Sequence, residues 1–257
     1  MNDVEIIYLE KPKFKSPVLI EGLPGIGLVG KIAAEHMIEE LKAKKFAELY
    51  SYYLPPQVNI QKDNTVKLVN MEFYYWIDSS KHKELIILIG DFQAITPDSQ
   101  YLITDYILDL AQECNVKRIY TLGGLGTGTI TKNPRVFGAT TSKELVEEMR
   151  KYGVVFRGSG SIFGASGLLL GMGMLRGFEG VCLMGETHGQ IIDAKSAEAL
   201  LRVLTKILDI EIDMTEISKK AKETEKQLNA MSKMIEEQIK TMERQEKYLS
   251  ETPTYIR

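Results

Sequence analysis

From residue 1 to about residue 208, short runs of β-branched and aromatic residues alternate with helical patterns, separated by glycine- or proline-bearing loops. The runs Val4–Leu9, Val18–Glu21, Phe46–Tyr53, Val66–Asp78, Leu85–Gly90, Lys117–Leu122 and Gly180–Met184 predict strands, with Val66–Asp78 long enough for a hairpin or bent pair. Leu85-Ile-Ile-Leu-Ile-Gly90 is apolar at almost every position, as a central strand covered on both faces requires. Helices are predicted over Leu28–Ala43, Asp98–Glu113, Ser142–Lys151, Ala165–Leu175 and Ser196–Leu208. The second carries a start signal, Thr96-Pro97-Asp98-Ser99, followed by Leu102, Ile103, Tyr106, Ile107 and Leu110 on one face. Strand–helix alternation predicts an α/β fold: a Rossmann-like, three-layer sandwich with a mostly parallel sheet and an antiparallel piece near residues 54–78.

The pattern then changes. Residues 213–250 contain no glycine or proline, and no aromatic before Tyr248, and are dense in Glu, Lys, Gln and Met. Ala221, Leu228, Ile235, Met242 and Leu249 recur every seven residues, and Ile217, Thr224, Met231, Gln238 and Gln245 form a companion series four residues earlier. That is a heptad with one apolar seam and one mixed seam, predicting a weakly coiled-coil helix of roughly 55 Å. Such a helix either folds back on the domain or projects to meet symmetry mates or a client, and projection is the preferred expectation. Ile217, Leu228, Met231, Met234, Ile235, Met242 and Leu249 are its candidate contact residues, the flexible thioethers being suited to adaptable packing. Pro253 ends the helix and leaves a short peptide with Tyr255, Ile256 and Arg257, a second candidate for capture by a partner's groove. The expected divisions are a core over 1–210, a helical extension over 211–250 and a flexible peptide over 251–257.

Charge and composition narrow the function classes. With 44% hydrophobic residues, a formal charge of -3 and a pI near 5.8, the chain shows no basic stripe of the kind that binds nucleic acid. The stretch from Ile162 to Leu175 is too short and glycine-rich to span a bilayer, and the N-terminus lacks the apolar core of a signal peptide. A cytoplasmic protein without membrane contact is expected. Cys114 and Cys182 sit in apolar runs without metal-ligand spacing and read as free thiols.

Three glycine clusters invite chemistry. Gly22-Leu-Pro-Gly25-Ile-Gly27-Leu-Val-Gly30-Lys31 follows a strand and opens a helix, satisfying the dinucleotide fingerprint at Gly25, Gly27 and Gly30. It lacks the acidic residue expected at the end of the second strand, and Ile32 stands where a P-loop needs Ser or Thr. A tight strand-to-helix turn is the plainer reading. Gly123-Gly124-Leu-Gly126-Thr127-Gly128 follows another strand, and Gly124, Gly126 and Thr127 are candidate ligand-loop residues. Gly185-Glu186-Thr187-His188-Gly189 reads as a polar turn rather than half a metal site. No HExxH, CxxC or GxSxG pattern is present, so neither catalysis, nor a metal, nor a cofactor is expected.

Taken in order, Leu19-Ile-Glu-Gly-Leu-Pro-Gly-Ile-Gly-Leu-Val-Gly30, Gly90-Asp-Phe-Gln93, Gly123-Gly-Leu-Gly126, Val136-Phe-Gly-Ala139, Gly164-Ala-Ser-Gly-Leu168 and Gly185-Glu-Thr187 resemble the proteasome assembly chaperone family, in its archaeal branch. The resemblance implies a nucleoside-phosphorylase-like α/β domain emptied of catalysis and homo-oligomers in archaea. It also implies partners among proteasome α subunits, bound without ATP. Some members end in a hydrophobic–Tyr–any-residue tail that docks between α subunits. Here Tyr255 is third from the end and preceded by Thr254, a departure that shifts the expected contact toward the long helix. The expected function is therefore an ATP-independent, homo-oligomeric chaperone for proteasome subunits or other non-native proteins. The alternative is an enzyme or binding protein for a nucleotide or nucleoside.

Overall fold

The computed structural model describes residues 3–129 and 131–226. Its centre is an eight-stranded sheet in the order β1-β3-β6-β7-β2-β8-β10-β9. The strands are β1 (Val4–Tyr8), β2 (Val18–Gly22), β3 (Lys44–Ser51), β6 (Met71–Asp78), β7 (Lys83–Gly90), β8 (Arg118–Gly126), β9 (Val136–Thr140) and β10 (Glu179–Thr187). A separate two-stranded antiparallel sheet, β4 (Val58–Ile60) with β5 (Val66–Leu68), branches from the antiparallel side. Helices α1 (Val29–Leu41), α3 (Lys143–Arg150) and α5 (Ala194–Leu208) cover one face, and α2 (Pro97–Glu113) and α4 (Ala165–Leu175) cover the other. A further helix, α6, runs over 215–226.

The strands sort their side chains as a doubly covered sheet must. Along β7, Leu85 and Ile87 join the core beneath α1 and α5, whereas Ile86 and Leu88 join the core beneath α2 and α4. In β2, Leu19 and Ile20 divide in the same way. Helix α2 begins where its start signal places it: Thr96 accepts from the Ser99 amide at 3.3 Å, and the Ser99 hydroxyl accepts from the Thr96 amide at 3.0 Å.

Two sequence expectations need correction. The sheet is mixed rather than mostly parallel: β7, β2, β8 and β10 run parallel, while the pairings of β1 with β3, β3 with β6, β6 with β7 and β10 with β9 are antiparallel. Of the two readings of Val66–Asp78, the hairpin is excluded, while its division into two strands agrees with the other. The segment breaks at Val69-Asn70, and β5 pairs with β4 while β6 enters the main sheet. Strand direction and partner are set by where the chain returns, which periodicity within a run does not encode.

Helix α1 lies very close to the sheet. A Cβ at Gly30 would fall well inside van der Waals contact of the Leu122 carbonyl oxygen, and one at Gly22 would overlap Ala34. Gly25, by contrast, has extended backbone and open space around it. Gly30→Ala should therefore destabilise the protein by about 1–3 kcal/mol. Gly25→Ala should stay within ~0.5 kcal/mol of the parent. Chemical denaturation of the two variants checks this, and equal stabilities would contradict the close approach.

Candidate functional site

The glycine-rich segments do converge. β2 ends at Gly22, and a 3-10 turn, Ile26–Leu28, leads into α1, with Gly27 at φ 64° supplying the left-handed step. This turn sits over the carboxyl ends of β8 and β10, where open α/β sheets commonly hold ligands. Here the chain itself takes the space. The Ile26 carbonyl presses on Gly124 so closely that no Cβ fits there, and the Ile26 side chain lies against Gly126 and Gly189. Thr127 is engaged too: its amide donates to the Thr187 carbonyl at 2.9 Å, and its hydroxyl lies 2.8 Å from that of Thr129. Gly27, Gly124, Gly126 and Thr127 thus lie around the turn and the ends of β8 and β10, whereas Gly30 packs on the Leu122 carbonyl and Gly25 faces open space.

Beneath the turn is a polar clamp. Glu21, the fourth residue of β2, is completely buried, accepting from the Leu23 amide at 2.8 Å and the Ser166 hydroxyl at 2.9 Å. Burial pushes its carboxyl up to about 7, and the two hydrogen bonds offset only part of that. Gln93 completes the clamp. Its amide nitrogen donates to the Pro24 carbonyl at 2.7 Å, and its oxygen accepts from the Ala165 amide at 3.0 Å, satisfying an otherwise free N–H at the start of α4. Three landmark segments, 19–30, 90–93 and 164–168, are tied together by these side chains. Glu21 and Gln93 were not among the sequence-derived site residues, although both lie inside the landmarks.

Glu186 and Thr187 are not in a turn. They are the last residues of β10, and both are buried. Glu186 receives Arg135 through Nε at 2.9 Å and Nη2 at 2.7 Å, which holds its carboxyl below the usual range. The guanidinium groups of Arg135 and Arg157 lie 5.0 and 4.5 Å from the centre of the Phe137 ring, so this constellation anchors β9 to β10. The described residues contain no cluster of three potential metal ligands. Cys114 is half-buried and Cys182 buried, both free.

The predicted extension begins against the core. Asp213 caps α6, accepting from the Thr215 amide at 2.8 Å, while its carbonyl lies 2.7 Å from His36 Nε2. Ile217, Ala221 and Thr224, spaced one helical face apart, are buried, and Ile217 joins the core with α1 and α5. Ser218 donates to Glu198 at 2.7 Å and Lys195 pairs with Glu225 at 3.0 Å. A cleft of about 320 Å³ opens beside this root, lined by residues that include Ile32, His36, Ile192, Ile217 and Thr224. The remaining candidates, Leu228, Met231, Met234, Ile235, Met242, Leu249, Tyr255, Ile256 and Arg257, lie outside the described residues.

No helix among the described residues is long and apolar enough to cross a membrane. Comparison with known proteins shows a match to the PAC2 family over residues 19–232. An uncharacterized protein of Methanocaldococcus jannaschii, MJ1210, is 42% identical over 227 residues, covering 88% of this chain and 87% of that protein. Among solved structures, Pyrococcus furiosus PbaB, an archaeal proteasome activator, superposes with a TM-score of 0.85 at 45% identity, covering 90% of this chain and 100% of that one. Pyrococcus furiosus PbaA, an archaeal homolog of proteasome-assembly chaperone, gives 0.75 at 30% identity over 96% and 99% of the two chains.

Two outcomes test this geometry. Because the Glu21 carboxyl is raised from 4.5 to about 7, the folded state keeps a proton that the unfolded state releases. Stability from this group is fully present below pH 4.5 and is lost as pH rises to about 7, a change of about 3 kcal/mol. Glu21→Gln, which imitates the protonated acid, should flatten that part of the stability–pH profile; an unchanged profile would refute the assignment. With the glycine turns filled by Ile26, nucleotides and nucleosides should leave the melting temperature unmoved. Stabilisation approaching about 2.7 kcal/mol, as a ligand at a hundred times its Kd gives, would revive the nucleotide reading.

Proposed function

The chain belongs to the PAC2 family, and from that membership we propose that it is an ATP-independent chaperone acting on proteasome subunits. The observation that carries this reading is the 45% identity to PbaB over 90% of this chain and that protein's whole length. The similarity to PbaA, at 30% identity, points the same way.

In this reading the α/β domain is a scaffold, without catalytic function, that sets the direction in which the extension leaves. Self-association of the cores would present several extensions together, raising their effective concentration at a common client. The partners are proteasome α subunits, or non-native chains that expose similar apolar surface. The contacts are Leu228, Met231, Met234, Ile235, Met242 and Leu249, with Tyr255, Ile256 and Arg257 as a second element. Ile217 is assigned differently: buried against α1 and α5, it fastens the root of the extension. Without a nucleotide cycle, release comes from the client's own assembly, so holding must be of moderate strength. The cytoplasm, where proteasome subunits are made, is the proposed location.

The burial of Ile217, Ala221 and Thr224 fixes where a truncation must be cut. Removing residues 227–257 leaves the buried turns in place, whereas cutting at 213 would uncover the core. Tagged full-length protein should recover proteasome α subunits from extracts of its own host, in the presence or absence of ATP. The 1–226 truncation should recover little while keeping the core folded, shown by unchanged strand content and cooperative unfolding, with only the extension's helical signal lost. Equal recovery by both forms would remove the extension from the mechanism.

A further inference from the structure

The hairpin β4–β5 is turned with its polar side inward. Alternate residues of a strand face opposite ways. The middle residues, Asn59 and Lys67, point at the body of the protein. Asn59 donates to Asp91 at 2.8 Å, and Lys67 pairs with Glu72 and, at 3.4 Å, with Glu48. The flanking residues Val58, Ile60, Val66 and Leu68 point outward, 47, 76, 66 and 52% exposed. Val58 stands opposite Leu68 and Ile60 opposite Val66, so the four make one continuous apolar tile. A slip of one residue would bury these four and expose the polar pair. The ion pairs of Lys67, to carboxylates that are themselves mostly buried, hold the orientation observed. At the base of the tile lies an apolar groove of about 420 Å³, walled by Tyr52, Leu54, Pro55, Pro56, Val58 and Leu68.

We propose that this tile and groove are the contact through which two copies of the chain pair about a two-fold axis. The proposal deepens the reading above and rests on the self-association in it. Three features favour a second copy over an unrelated partner. First is area: with Tyr52, the face presents on the order of 500 Å² of apolar surface, in the upper part of the range of a monomer's largest patch, which often marks a functional surface. Two such faces would remove about 1,000 Å² from water, the threshold for a biological interface and the size of a weak, reversible one. Second is shape. A two-fold contact needs a patch complementary to itself. Here Ile60 and Val66 project at the turn end of the hairpin, and the groove receives at its base. Third is charge: the tile carries none, and the exposed turn at its rim, Lys62-Asp63, carries one of each sign. Symmetry mates therefore meet without like-charge repulsion. A hairpin of three residues per strand is also marginal alone, and a mate's face would cover its open side.

The test is the mass of the full-length protein in solution, by light scattering over a wide range of concentration. Three forms are compared: the parent, Ile60→Lys, and the double variant Ile60→Thr with Val66→Thr, which keeps β-branching. Circular dichroism checks that the fold is kept. The parent should exceed a monomer's mass. Ile60→Lys should lower the assembly to a smaller species, and the double variant should weaken it about tenfold or more, dissociating on dilution. Unchanged masses in both variants would overturn the placement while leaving self-association standing. A parent that is monomeric at every concentration would overturn both, independently of whether it recovers proteasome subunits.

Discussion

Helix α1 approaches the sheet so closely that positions 22 and 30 admit no side chain, and much of the molecule follows from that contact. With Gly30 against the Leu122 carbonyl, the chain between β2 and α1 has little room to turn. It does so through a 3-10 turn with a left-handed glycine, which throws Ile26 across the ends of β8 and β10. The same closeness sets the position of α1 relative to α5, and α6 is built on that pair: His36 of α1 contacts the Asp213 carbonyl, and Ile217 drops into the core the two helices share. A single steric constraint thus links the glycine motif to the root of the extension.

The second element of the framework is polar. Glu21, Gln93 and Ser166 connect three loops through hydrogen bonds of 2.7 to 3.0 Å, with Glu21 fully buried and the other two partly so. Buried polar groups stabilise only when satisfied, and Glu21 has a donor on each oxygen. Its raised pKa follows from desolvation, a consequence of being used as a structural fastener. A perturbed carboxyl in a cleft often marks catalysis. This one is sealed beneath its own turn, with Ser166 and a backbone amide as partners, and the plainer account is a fastener.

Much of this was legible in the sequence, for identifiable reasons. Helix α4 is legible from the Leu and Met positions of Ala165–Leu175 despite its glycines, and α2 from the start signal at Thr96–Ser99. β9 was missed as a strand: Val136-Phe-Gly-Ala-Thr140 is short, carries Gly138, and takes its extended form from pairing with β10. β4 was missed because Val58-Asn-Ile60 is only three residues long, too short for alternation to register, and follows Pro55-Pro56. The approach of Ile26 to Gly124 and Gly126 was not legible, since a run of glycines reports that something comes close without saying what. The heptad series from Ile217 was visible, but whether its first turns face a partner or the core depends on α1 and α5.

The central claim is that this scaffold exists to present a protein-binding extension without nucleotide chemistry. The most direct measurement mixes purified full-length protein with purified α subunits of its host's proteasome in nucleotide-free buffer and follows complex formation by sedimentation velocity. The account predicts a faster-sedimenting complex that forms without nucleotide and is unaltered when ATP is added. Absence of any complex over a wide range of concentration, or a complex that requires ATP, would contradict it.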